Sequence, residues 1–146
     1  MRKLFILLMI VTFTAGMAGA SHAAILNIQG NYTGSRTGIQ VDPTASNGFA
    51  TFVITMTVNV TYQSVDGTLL GGTMVSTHPG PGGPVTENQT FTGKITGDDN
   101  LYLTVIDSNG AVNSVVFGKL DTSYTIKGVW QNINNGGPTG DFTVKR

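Results

Sequence analysis

Few residues in this chain are of types that do chemistry, and their spacing limits what they could do. There is no cysteine, so a thiol nucleophile, a disulfide framework and a Cys-ligated zinc or iron–sulfur site are all excluded. Of the two histidines, His22 lies in an N-terminal targeting-type segment, which leaves His78. One histidine without further nitrogen or sulfur ligands does not make a zinc site. As a general base it would need a nucleophile and an orienting carboxylate, and no motif supplies them. The carboxylates, among them Asp42, Asp66, Asp98, Asp99 and Asp121, fall at turn-like positions where Asp bonds its own backbone. Asp98 and Asp99 are adjacent and would point apart in an extended chain, unlike the facing pair of a glycosidase. Asp107-Ser108-Asn109-Gly110 begins like a calcium loop but lacks the later ligands and the distal Glu. The strings Gly80-Pro81-Gly82-Gly83-Pro84 and Gly136-Gly137-Pro138 open no helix and carry no Gly-Lys-Ser/Thr, so they are not phosphate loops. No catalytic residue, metal or cofactor is therefore expected.

What remains is aromatic. Trp130 is the single tryptophan. An indole either plugs a core, with a partner for its N–H, or forms a stacking wall for a planar ligand. The candidate ligand-binding residues are accordingly Trp130 with Tyr32, Tyr62 and Phe142, and His78 from the Pro/Gly-rich stretch 77–87, which reads as a loop able to act as a lid or recognition element.

The elements that must position these residues are strands. From Phe52 to Tyr62 apolar and polar residues alternate with period two, which predicts a strand with one buried face. Turn signals at Asp66-Gly67, 97–100, Asn109-Gly110 and 121–123 divide the rest into short segments. The predicted strands are 25–33, 52–62, 68–76, 88–96, 101–107, 111–120, 124–132 and 139–146, with 34–48 and 77–87 as the long connections. Short strands joined by tight turns imply an all-β, antiparallel up-and-down meander, and eight of them are enough to close a barrel; a two-sheet sandwich is the alternative. Gly93, Gly118, Gly128 and Gly140 fall inside predicted strands, where glycine marks a bend or a close backbone approach, and this favours the barrel. The strand threonines, Thr55, Thr57 and Thr92 among them, read as the solvent side of these strands.

Composition sets the class and the address. The chain has 146 residues, 40% hydrophobic and 11% charged with zero formal net charge, which fits one small globular domain and neither a nucleic-acid binder nor a disordered chain. Residues 1–23 place Arg2-Lys3 before the apolar run 4–11 and end in small residues at Ala18-Gly19-Ala20 and Ser21-His22-Ala23, the layout of a secretory signal peptide. Cleavage is expected after Ala20 or Ala23, leaving 24–146 as a single β-barrel domain that is exported, periplasmic or extracellular, and not inserted in a membrane. Losing Arg2 and Lys3 turns the neutral precursor slightly acidic. A small exported domain without disulfides needs a closed, fully hydrogen-bonded sheet.

The opening Gly30-Asn31-Tyr32-Thr33-Gly34, the successive hairpins, Gly128-Val129-Trp130 and the closing Gly140-Asp141-Phe142-Thr143-Val144-Lys145-Arg146 resemble the small eight-stranded barrels of the calycin type, the avidin and lipocalin group. The resemblance implies a barrel that holds a small ligand in its mouth. Biotin is not implied, because avidin-like biotin sites use several tryptophans. The expected function is an exported, non-enzymatic binding or carrier module for a small apolar or amphipathic molecule. The alternatives are a surface interaction protein, adhesive or inhibitory, and behind it an outer-membrane barrel or a barrel-pocket isomerase or cyclase. An open interior would favour the carrier, whereas a barrel filled with side chains would suit the interaction protein.

Overall fold

The structure is a computed structural model describing residues 25–80, 82–133 and 137–146. The expected signal peptide and its cleavage sites lie outside the described residues. Eight strands follow one another: β1 (Gly30–Val41), β2 (Phe49–Gln63), β3 (Leu69–Gly80), β4 (Gly83–Ile95), β5 (Asn100–Ile106), β6 (Val112–Leu120), β7 (Thr125–Asn132) and β8 (Thr139–Lys145). Each pairs antiparallel with the next, and β8 returns to pair with β1, so the sheet closes into an eight-stranded up-and-down barrel. The two-sheet alternative is thereby set aside. Closure pairs the barrel strands on both sides, apart from the projecting end of the β3–β4 hairpin, and answers the absence of disulfides.

Period-two alternation sorts the side chains. On β2, Ile54, Met56, Val58 and Val60 are buried, while Thr55, Thr57 and Thr61 face out. Inward residues from the other strands, including Tyr32, Leu70, Met74, Phe91, Leu101, Val105, Ile126, Phe142 and Val144, join them in one core. Beside it the strands come very close. A Cβ at Gly93, Gly128 or Gly140 would fall 2.1, 1.9 or 2.0 Å from a neighbouring carbonyl oxygen, so these strand glycines do mark close backbone approaches. At Gly118 the nearest obstacle is the Phe142 ring, at 3.0 Å.

The turns use the chemistry expected of them. Asp66 accepts from Thr68 N at 3.0 Å and from the Ser64 hydroxyl, Asp107 from Asn109 N at 2.8 Å, and Asp121 from Ser123 N at 2.8 Å and Thr125 N at 2.9 Å. Gly67 and Gly110 supply the left-handed backbone of two of the reversals, at φ 79° and 82°.

Two boundaries differ from the sequence reading. The first strand is Gly30–Val41 rather than 25–33. Its second half carries Gly34, Arg36, Gly38 and Gln40 on the inward face, so no apolar stripe announces it. Glycine is needed there because a Cβ at Gly34 would meet Thr143 O at 2.0 Å and one at Gly38 the Phe52 ring at 2.3 Å. The segment 77–87 is likewise not a free loop: β3 and β4 pair through it, with His78 opposite Val85, Pro79 opposite Pro84 and Gly80 opposite Gly83. Prolines are tolerated because β2 leaves β3 after Thr77 and β5 joins β4 only at Thr90, so this projecting hairpin has open outer edges.

Connections alternate between the barrel's two ends. Loops 64–68, 96–99 and 121–124 lie at one end, and loops 42–48 and 107–111 with residues 133, 137 and 138 at the other, the same end as the tip of the β3–β4 hairpin. The first end is plugged by residues 25–29. Ile28 is fully buried, Ile28 N donates to Gln63 Oε1 at 2.9 Å, and Gln63 Nε2 donates to Leu26 O and Gly67 O, each at 2.9 Å. The second end is open.

Candidate functional site

At the open end the inward positions change character. Moving along β3 from Leu70 and Met74, the same face continues as Ser76 and His78; on β4, approached from Ile95 and Phe91, it continues as Gln89 and Glu87. Arg36 from β1, Phe52 and Ile54 from β2, Asn113 from β6, and Trp130 and Asn132 from β7 complete a cup of about 370 Å³, with Gln40, Pro79 and Pro138 at its rim. Beneath it an apolar space of only about 40 Å³ remains among Met56, Met74, Phe91, Val116 and Phe142. Arg36 and Trp130 line both spaces and so form the floor between them.

Trp130 is fixed from three directions. Its Nε1 donates to the Thr37 carbonyl at 2.9 Å, reaching across β8 at the place where the β1–β8 pairing lapses between Arg36–Phe142 and Ile39–Thr139. Thr139 Oγ1 donates to the Trp130 carbonyl at 2.8 Å, and Phe52 meets the indole edge-on, with centroids 6.4 Å apart. The tryptophan is thus both core and pocket wall. It is 3% exposed yet lines the cup.

Arg36 stacks on it, with Cζ 4.2 Å from the indole centroid. Arg36 is 6% exposed, and burial lowers the pKa of its guanidinium below the ordinary arginine value, a pull partly opposed by the charge of Glu87. No carboxylate among the described residues reaches ion-pairing distance of it, and its Nε has no hydrogen-bond partner. Two further buried polar atoms lack partners: Ser76 Oγ and Gln89 Oε1. Each belongs to a residue two positions deeper in the barrel than His78 or Glu87 respectively. At the rim, His78 Nε2 lies 3.6 Å from Glu87 Oε1 and His78 Nδ1 lies 3.0 Å from the Pro79 carbonyl oxygen.

Of the five candidates from the sequence, the structure brings His78 and Trp130 to the cup and places Phe142 just below its floor. Tyr32 sits at the closed end, fully buried, donating from its hydroxyl to Ile28 O at 2.9 Å; burial raises the pKa of that phenol. Tyr62 follows a bulge in β2 and stands 54% exposed beside Gly71. Arg36, Ser76, Gln89 and Phe52 were not among the expected site residues. Their signal was the same period-two register carried past the apolar stretch: Arg36 is four residues from Tyr32, Ser76 two from Met74 and Gln89 two from Phe91.

Among the described residues no group of three His, Cys, Asp or Glu side chains could hold a metal ion. No helix of the described residues is long and apolar enough to cross a membrane. The geometry defines the class: a closed, eight-stranded antiparallel barrel with a solid core and a polar-lipped cup at one end. No protein-family model, curated protein or solved structure matches the chain.

Proposed function

We propose that this protein is an exported, non-enzymatic binding or carrier module that holds a small amphipathic molecule in the cup at the barrel mouth. The observation that carries the reading is the cup itself: its volume of about 370 Å³ is that of a small-molecule site, with an aromatic wall and a few convergent polar groups. The barrel is filled below Arg36 and Trp130, so the open interior expected of a carrier is absent and the reading rests on the cup alone, with the cargo a compact molecule held at the mouth. The barrel is apolar inside and carries Thr55, Thr57, Lys94, Lys119 and Lys127 on its outside, the opposite of a membrane-spanning barrel, which supports a water-exposed module. Export rests on residues 1–23 alone.

The test is native mass spectrometry of the protein purified from the exported fraction. A bound mass that disappears on denaturation, and whose re-addition shifts Trp130 emission, is the expected result. A protein that is always empty, with emission unmoved by small amphipathic molecules, would overturn the carrier reading. That outcome would favour the interaction protein, for which the outer wall offers one feature: Tyr102 and Phe117 packed edge to face at 5.7 Å next to exposed Val129.

A further inference from the structure

Among the described residues, Arg36 is the one charged side chain that is buried. Taking a guanidinium out of water is unfavourable unless hydrogen bonds and an opposite charge compensate it. Here the compensation is incomplete. The indole face of Trp130 at 4.2 Å supplies a cation–π contact, but among the described residues Nε has no partner and no carboxylate lies within ion-pairing distance. Glu87, the carboxylate that acts on Arg36 through space, points its Oε1 at His78 instead. The layer under the cup is unfinished in the same way, with Ser76 Oγ and Gln89 Oε1 buried and unpartnered. Native interiors satisfy nearly all such groups, so three orphaned polar atoms in one stratum of a small barrel need an explanation. At the closed end, by contrast, the buried Tyr32 hydroxyl and the Gln63 amide each have partners.

Resting on the proposed binding function, we infer that the cup takes a small planar monocarboxylate, its carboxylate on the Arg36 guanidinium and its ring against Trp130 and Phe52. The guanidinium fork matches a carboxylate in shape and charge, and is over-represented where such planar recognition matters. One cation facing one nearby carboxylate suits a single negative charge better than a phosphate dianion. Phe52 and Trp130, inclined at 64° to each other, form an angled aromatic corner against which one ring of a ligand can pack, and Ile54, Pro79 and Pro138 complete it. A long-chain acid does not fit, since only about 40 Å³ lies beneath the floor.

The probes are benzoate and indole-3-carboxylate, benzamide as the neutral counterpart of benzoate, and benzylammonium as the cation. Binding to the full domain is followed by calorimetry and by the emission of Trp130, the only tryptophan. The expected result is that the carboxylates bind about tenfold or more tightly than benzamide, the contribution of a charged hydrogen-bonded pair. Arg36→Met should erase that preference without lowering the melting temperature, because the buried charge it removes is under-compensated. Glu87→Gln should tighten benzoate binding by removing a competing charge. Equal affinity for benzoate and benzamide, unaffected by Arg36→Met, would overturn the carboxylate assignment and leave the binding cup standing. Preference for benzylammonium, lost in Glu87→Gln, would overturn it in favour of a cation site. A silent Trp130 and no heat with all four probes would remove both the assignment and the cup as a small-molecule site. If Arg36→Met does not fold, Arg36 is structural and Glu87→Gln decides: unchanged or weaker benzoate binding would then overturn the assignment.

Discussion

The two ends of this barrel are built by one alternation of side chains and finished in opposite ways. At the closed end the inward positions are Leu70, Ile95, Leu101, Leu120, Ile126 and Val144, and the few polar groups among them are spoken for: the Tyr32 hydroxyl by Ile28 O, the Gln63 amide by Leu26, Ile28 and Gly67. At the mouth the same strands carry Arg36, Ser76 and Gln89 inward, and each has an atom with no partner. Burial is nearly as complete at both ends, with Leu101 2% and Arg36 6% exposed, so degree of burial does not separate them. Hydrogen-bond satisfaction does. A buried polar group with its partner contributes to stability, whereas one without is held at a cost to the fold and is ready for something else to complete it.

The contrast can be broken most strongly by Leu101→Ala. Leu101 is packed in the filled half of the barrel, and its truncation should destabilise the domain by about 2–5 kcal/mol, read by denaturant unfolding. A loss well below that range would mean that the closed end is not the rigid half. The sharpest comparison is between two hydroxyl removals. Tyr32→Phe deletes a satisfied buried hydroxyl and orphans the Ile28 carbonyl, and should cost about 1–2 kcal/mol. Ser76→Ala deletes an unsatisfied one and should cost nothing or stabilise slightly. Equal losses would show that the two ends do not differ in satisfaction.

The smallest effect is expected at the solvent-exposed Asp121. Hydrogen bonds from the Ser123 hydroxyl, then from the Thr125 and Ser123 amides, hold its carboxyl below the ordinary 3.8. A carboxyl depressed in the folded state contributes stability that is fully present above its unfolded value and lost as pH falls through its folded one. Asp121→Asn should therefore lower the melting temperature slightly near neutrality, with the difference from the parent protein shrinking below about pH 4. A difference that stays constant from neutral pH to the acid range would rule out this linkage.

Most of the fold was legible in the sequence because period-two patterning and Asp/Gly turn chemistry are local. Ile54 to Val60 shows its buried face residue by residue, and Asn109-Gly110 and Asp66-Gly67 mark reversals without reference to anything distant. What failed locally was what depends on a neighbouring strand. The stretch Gly34 to Val41 looks like a connection because its inward side chains are two glycines, Arg36 and Gln40; only the approach of Thr143 and the Phe52 ring explains why those glycines belong in a strand. Pro79 and Pro84 read as loop residues until the hairpin is seen to have free outer edges. The site was legible at His78 and Trp130. Arg36 was hidden by the missed half of β1, and Tyr62 turns outward because a bulge shifts the register just before it.

The hydrogen bond from Trp130 to the Thr37 carbonyl joins residues 93 apart in sequence, across a strand that is the last to be made. Contacts of such separation carry a loop-closure cost that must be met before they contribute. The wall of the cup thus depends on β8 lying between β7 and β1, so the cup and the closed ring of strands are one structure. Under the proposed binding function, occupancy of the cup therefore reports that the ring of strands is closed.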